Sequence, residues 1–384
     1  MTAPLAAGNV GGMGDVVDAA LSVQDLVRER AASCERERHL SAEVVDALVD
    51  AGLMRMCVPR EYGGPEATPM QLVEAIEAVA EADGATGWCV MIASTTSSMS
   101  CFMEPDVARA IFGDPGVVTG GAFAPGGRAV TVEGGHRVSG RWSWGSGTDH
   151  AHWILGGAIL DTGDFELVFA PAEHVELHDT WYSSGLRATA SGDFEMTDVF
   201  VPHGYSVPPL KARPQVDSAL AHFPNFTLLA VAVSSAMLGI ARRAVDEAVA
   251  LAQGKTQSYS SKSLARSATA QIEISKAEAT LSAARAFLLD EVARAWDAAV
   301  AGHRVTTEAR ARIRLAAVHV AESAVKATDM AYTMAGGPAV FETRPLQRCL
   351  RDIHTASQHL QVSPRLHETL GRMLLGQSAD TSML

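Results

Sequence analysis

The chain of 384 residues is 47% hydrophobic and 20% charged, enough apolar material for two or three domains with cores of their own, which excludes a disordered chain. A formal charge of −13 disfavours nucleic-acid and anionic-membrane partners, whose phosphates need Lys and Arg, and points to small-molecule chemistry. Five cysteines at 34, 57, 89, 101 and 349 show no Cys-x-x-Cys spacing, so they read as reduced thiols of a cytoplasmic protein and not as a disulfide framework or zinc site.

Residues 1–14 are small and almost uncharged, without a basic region followed by an apolar core, and read as a flexible tail. From 15 to 114 apolar residues such as Leu21, Leu26, Val45, Leu48, Leu72, Ile76 and Val79 recur at three- and four-residue intervals, the period of helices. Ser41 followed by Glu43 predicts a helix start. Val58-Pro59-Arg60-Glu61-Tyr62-Gly63-Gly64 predicts a rigid turn. The stretch from Asp83 to Met103 is small and apolar nearly all round, which predicts a buried helix. Trp88 near its start fits either a core position or the wall of a ligand pocket.

Between 115 and 205 the period changes to two. Short runs at 117–119, 129–132, 136–139, 153–155, 165–169 and 194–196, separated by turn residues, predict a compact antiparallel β domain. Its most distinctive stretch is Gly140-Arg-Trp-Ser-Trp-Gly-Ser-Gly147. A strand bearing tryptophans that ends in Gly-Ser-Gly brings backbone close to a flat ligand and offers one hydroxyl beside it; a plain hairpin turn would have the same letters. Asp149, His150 and His152 place two histidines on alternate positions, and with no third ligand cluster in the sequence no metal site is expected. Gly120-Gly121 and Gly126-Gly127 lack the strand–GxGxxG–helix setting of a dinucleotide fingerprint.

From 206 to 384 the chain is helical again, in runs near 224–252, 264–301, 306–335, 345–360 and 365–375. Ile274, Ala277, Leu281, Ala284, Leu288 and Val292 form the stripe a bundle needs, and 255–263 is a polar, Ser-rich connection. No run of eighteen apolar residues is seen, so no membrane span is expected. Residues 335–359 stand out: a helix ends in Gly336-Gly337, the chain turns through Arg344-Pro345, and a second helix follows. On that helix Arg348, Asp352, Thr355 and His359 fall on one polar stripe, with Leu350, Ile353 and Leu360 pointing more inward. Two readings fit the spacing: an i,i+4 ion pair on a solvated face, or an Arg348–Asp352 pair fixing the helix while His359 moves a proton in a pocket. His354 lies off the stripe.

Gly336-Gly337, Pro345-Leu346-Gln347-Arg348, Arg351-Asp352 and a histidine seven residues on resemble the C-terminal part of the acyl-CoA dehydrogenase fold in its oxygenase branch, the oxygenase components of two-component flavin monooxygenases. The Pro-x-Glu-Tyr-Gly-Gly turn at 59–64 and the helix–strand–helix order resemble the same fold. The resemblance implies an N-terminal helical domain, a central β-barrel or sandwich and a C-terminal four-helix bundle, assembled as a homotetramer in which Gly336 and Gly337 approach a neighbouring subunit's flavin. It implies reduced FMN, or FAD, supplied by a separate NAD(P)H-dependent reductase, and O₂. A C4a-hydroperoxyflavin would hydroxylate an aromatic, phenolic or polycyclic small molecule. N- or S-oxygenation of a natural-product intermediate and thioester dehydrogenation are the alternatives.

By the same resemblance, His359 is the acid/base and Ser146 hydrogen-bonds near flavin N5. Trp142, Ser146, Gly147, Phe123, Gly336 and Gly337 hold the cofactor, with Phe123 in the flavin-facing stretch Ala122-Phe123-Ala124-Pro125. Trp88, Met91, Phe223 and Phe226, with His222, line a pocket apolar enough for a ring system. A dehydrogenase needs a catalytic glutamate, and both places for one fail here: one falls at Leu360, and 225–235 holds no carboxylate. The family's Ser-Asp is also replaced by Gly127-Arg128.

Overall fold

Asp15 begins the described part of the chain as a helix cap, its carboxylate accepting from the Val17 amide at 3.0 Å. The structure is a computed structural model that describes residues 15–254, 263–382 and 384; the expected N-terminal tail and nearly all of the Ser-rich connection lie outside the described residues. Helices α1 (Val16–Glu37), α2 (Ala42–Asp50), α3 (Pro69–Ala82), α4 (Gly84–Ser97) and α5 (Pro105–Phe112) make up the first part. Thr68 and Gln71 form a reciprocal capping box with Pro69 in the first turn of α3, and Asp83 then caps α4 by accepting from Thr86. Ser41 starts α2 as expected, but its hydroxyl makes no capping bond. Every residue of α4 is buried.

Seven strands form a single sheet: β1 (Thr119–Val132), β2 (Gly135–Trp142), β3 (Trp153–Leu160), β4 (Phe165–Pro171), β5 (Glu176–His178), β6 (Asp193–Pro202) and β7 (Ser206–Val207). Their order is β5-β6-β2-β1-β3-β4-β7. The purely antiparallel expectation fails at the centre, where β1 and β3 run parallel. After the β1–β2 hairpin the chain crosses β1 through residues 143–152 and comes back on its other side, which sets β3 in the direction of β1. The β1–β3 ladder also slips between Ala122 and Gly127, so residues 123–126 bulge out of the pairing.

The remaining helices are α6 (Asn225–Gly254), α7 (Ala268–Val300), α8 (Thr307–Ala335), α9 (Pro345–Ala356) and α10 (Leu366–Leu374). Ser234 and Ser235 interrupt the apolar stretch of α6, which by length and mean composition alone could cross a membrane, and 89% of its most apolar window is buried inside the protein. It packs on α3, α4 and α8, and one apolar cluster runs from α1 through α6 into the bundle. That shared core fixes the first helices against the last ones, and the candidate site lies where α4, the sheet and the segment after α9 meet.

Candidate active site

Ser146 reaches its position because the 143–147 loop lies directly on β1. The Gly121 amide donates to Ser146 O at 3.4 Å. Gly121 has φ +131, and a Cβ there would stand 2.0 Å from Leu155 O, so no other residue fits. The Ser146 hydroxyl is buried between two partners: Trp88 Nε1–H donates to it at 3.1 Å, and Ser191 Oγ lies 2.7 Å away. Ser191 Oγ in turn is 2.6 Å from Thr189 Oγ1, which donates to Leu186 O at 2.8 Å. Leu186 and Ala190 both hold left-handed backbone conformations, φ 50 and 47, a strained loop of the kind that gathers at functional sites.

His359 comes from the other side. The expected helix to residue 360 stops at Ala356, and His359 instead caps a 3₁₀ turn (Leu360–Val362), its Nδ1 accepting from the Gln361 amide at 3.2 Å. The stripe inferred for Arg348, Asp352, Thr355 and His359 therefore does not extend to the histidine. Leu360, expected inward, is 69% exposed, because the chain has left the helix before reaching it. The His359 ring nevertheless meets Trp88 edge-on, centroids 5.5 Å apart and planes at 72°. Burial pushes the imidazole down to about 4, and the Arg314 guanidinium adds to the same direction. The ring is thus neutral at pH 7, and with Nδ1 accepting, its single proton sits on Nε2. Arg314 is itself buried, donating to Gln361 Oε1 and, at 3.4 Å, to Phe226 O. His354 is exposed and bonds to Asp329 at 2.9 Å.

Arg348 and Asp352 do not form the expected mutual ion pair. Arg348 lies 3.5 Å from Asp83 and 3.8 Å from Glu35, and Arg351 also pairs with Glu35. Asp352 turns to the sheet domain, where its carboxylate accepts from the Leu186 amide at 2.6 Å. Gly185 permits this approach, since a Cβ there would stand 2.1 Å from Arg351 O. Burial, then the nearby Asp83 carboxylate, raises Asp352 to about 7. Three carboxylates face two guanidiniums in this cluster, so one retained proton balances it. Asp352 thereby anchors the loop whose Thr189 and Ser191 reach Ser146.

The other expected residues divide. Trp142 is buried in the β-domain core, stacked on Phe194 at 4.9 Å and donating Nε1–H to Gly157 O at 2.7 Å, so its ring is committed to packing and does not offer a face to a ligand. The tryptophan of this stretch that is open is Trp144, 70% exposed with φ +64. Phe123, in the bulge, meets Phe226 edge-on at 6.2 Å. Met91 and Phe223 are fully packed in the large core, and His222 is half-buried. Gly147, φ +72, follows Ser146 and starts the 3₁₀ turn Thr148–His150. That turn removes the alternate-strand geometry for His150 and His152; His152 Nδ1 accepts from the Val118 amide at 3.1 Å. Gly336, with φ 64 and ψ −149, ends α8 in a conformation reserved for glycine, and Gly337 opens the turn to exposed Val340 and Phe341.

Sequence reasoning missed Ser191, Thr189, Arg314 and Gln361. The small-residue run Ala188-Thr-Ala-Ser-Gly192 signals a loop, but nothing in it signals the contact with Ser146. Both positions for a dehydrogenase glutamate remain without a carboxylate: Leu360 is solvent-facing, and the first eleven residues of α6 carry none.

The order of helices, central sheet and helices defines a protein of the acyl-CoA dehydrogenase type. The acyl-CoA dehydrogenase N-terminal domain family matches residues 18–103, and the acyl-CoA dehydrogenase C-terminal domain family matches 231–364. Indole-3-acetate monooxygenase of Pseudomonas putida is 30% identical over 92% of this chain and 92% of its own. The flavin-dependent monooxygenase oxygenase subunit HsaA of Rhodococcus jostii (strain RHA1) is 30% identical over 88% of this chain and 92% of its own. The crystal structure of 3-HSA hydroxylase from Rhodococcus sp. RHA1 superposes with a TM-score of 0.91 at 27% identity, covering 96% of this chain and 99% of that one. The chain belongs to the oxygenase components of flavin-dependent monooxygenases within the acyl-CoA dehydrogenase family. It is an oxidoreductase, and an oxygenase component implies a separate partner reductase.

Proposed function

We propose that the protein takes reduced FMN, with FAD as the alternative, from an NAD(P)H-dependent reductase and hydroxylates a phenolic or polycyclic aromatic small molecule with O₂. The observation that carries this reading is one indole: Trp88 hydrogen-bonds to Ser146 and stacks edge-on against a neutral His359, bringing a hydroxyl and a proton-transfer group to one place. The residues fit a flavin. The bulge at 123–126 frees backbone groups from the β1–β3 ladder for the edge of a flat heterocycle, and buried Ser146 keeps capacity for one more hydrogen bond.

Bound there, a reduced flavin would supply the two electrons with which one oxygen atom of O₂ is inserted and the other leaves as water. Ser146 holds the ring system, and Phe123 with Phe226 closes the apolar side and excludes water. With Nδ1 serving the Gln361 amide, His359 has its Nε2–H to give, so it first donates a hydrogen bond to oxygen. Taking a phenolic proton at Nε2 requires the ring's own proton on Nδ1, which releases that amide. Arg314, buried beside the same turn, opposes a second positive charge on the ring.

The division at 15–114, 115–205 and 206–384, a cytoplasmic location and a homotetramer belong to the same proposal. Exposed Val340 and Phe341 beside Gly336 and Gly337 support a subunit contact there, and a stable monomer in sedimentation would count against it. Supplying reductase, NAD(P)H and both flavins against a panel of phenols, with amines as the control, tests the substrate class. Hydroxylated phenols are expected, and turnover of the amines alone would overturn the reading.

A further inference from the structure

The hydroxyls around Ser146 are not free to point either way. An indole N–H can only donate and a carbonyl can only accept, and these two groups end the chain that runs from Trp88 through Ser146, Ser191 and Thr189 to Leu186. Thr189 spends its one hydrogen on Leu186 O, so it accepts from Ser191. Ser191 has then spent its hydrogen and accepts from Ser146. Ser146, receiving the Trp88 proton and giving its own to Ser191, has only a lone pair left for a ligand.

We propose that Ser191 and Thr189 are positioning residues that hold Ser146 as an acceptor, and that this polarity makes the site select reduced over oxidised flavin. The proposal rests on the reading that flavin N5 lies at Ser146. Reduced isoalloxazine bears a hydrogen on N5 and can donate to that lone pair; oxidised isoalloxazine has a bare N5 that needs a donor. Two lone pairs facing each other across a buried site repel, and each loses a hydrogen bond to water. An oxygenase fed by diffusing reduced flavin gains from this selection, because the oxidised product is rejected after turnover.

The two residues act on Ser146 by different routes with the same sign. Removing the Ser191 hydroxyl by Ser191→Ala leaves the Ser146 hydrogen without an acceptor, and it turns to the ligand. Thr189→Val removes the acceptor of Ser191, whose hydrogen swings to Ser146 and again drives the Ser146 hydrogen outward. Ser191→Thr keeps a hydroxyl and preserves the order. Asp352 supports the arrangement from outside by holding the Leu186 amide.

The test is anaerobic titration of the full chain with reduced FMN and, separately, with oxidised FMN, followed by flavin absorbance and fluorescence; no turnover is needed. The unaltered protein is expected to prefer reduced FMN. Ser191→Ala and Thr189→Val should each shrink that preference about five- to tenfold, the size of one hydrogen bond, mainly by tightening oxidised FMN, while Ser191→Thr leaves it in place. Variants that weaken both forms equally, with the ratio unchanged, would overturn the relay while leaving flavin at the site. If the unaltered protein binds neither form, the flavin reading falls and the proposal falls with it.

Discussion

The rings of Trp88 and His359 meet edge-on with centroids 5.5 Å apart, and the same indole bonds to Ser146 through Nε1. One side chain of the buried helix α4 thus sets the distance between the hydroxyl proposed to hold the ligand and the imidazole proposed to handle protons. Trp88→Phe keeps an aromatic edge for His359 but removes the N–H that Trp88 donates to Ser146. Product formed per O₂ consumed should fall while reduced-flavin binding weakens only a few-fold; hydrogen peroxide release read alongside O₂ uptake checks it.

His359→Ala should slow hydroxylation by ~10²–10⁴-fold, the range for a general acid or base, with reduced-flavin affinity within a few-fold of normal. His354→Ala should leave the rate unchanged, because His354 faces solvent and pairs with Asp329. Stopped-flow product formation for both variants decides between the two histidines.

Ser146→Ala removes the buried hydroxyl and with it the centre of the relay. Peroxide release should rise at the expense of product, and Ser146→Thr should restore part of the coupling. An alanine variant with normal coupling would place the ligand elsewhere.

Two buried groups give stability opposite pH slopes. His359 is held near 4 when folded, below the ~6.5 of a free imidazole, so its contribution is complete above about 6.5 and is lost as pH falls toward 4. Asp352 is raised to about 7 from the ~3.9 of a free carboxyl, so its contribution is present at low pH and is lost as pH rises from about 4 through 7. Denaturant midpoints should show His359→Gln flattening the acid-side loss and Asp352→Asn gaining on the unaltered protein at pH 8 relative to pH 5.

Asp352→Asn should also keep the loop, since its side-chain oxygen still accepts from the Leu186 amide. Asp352→Leu leaves that amide buried without a partner, a cost of ~1–3 kcal/mol, and releases the segment that carries Thr189 and Ser191. Urea unfolding of the two variants should differ by about that amount, and Asp352→Leu should behave like Ser191→Ala in flavin binding.

Periodicity was sufficient for the helices and most strands, because a stripe such as Ala277, Leu281, Ala284 and Leu288 buries one face wherever it lies. The parallel pairing of β1 and β3 escaped it, since pairing direction depends on how residues 143–152 cross the sheet. His359 stands out in the sequence by its place after Arg351-Asp352, but helical spacing does not place its ring, because the helix ends at Ala356 and His359 caps a 3₁₀ turn. Trp142 and Trp144 look alike in sequence, and two strand residues so spaced would share a face; β2 ends at Trp142 and the chain turns at Trp144 with φ +64, so the first is core and the second is open. Ser191 and Thr189 carry no signal at all, because what joins them to Ser146 is a loop folded back under strain and tied to Asp352 166 residues away.

The central claim, that this site transfers an oxygen atom from O₂, is tested most directly by isotope labelling. Anaerobically reduced FMN bound to the protein is mixed with ¹⁸O₂ and an accepted phenol, and the product is read by mass spectrometry. One ¹⁸O atom in the new hydroxyl group is the expected result. Product oxygen drawn from water, or conversion of an acyl thioester to its enoyl form with no oxygen incorporated, would contradict the account.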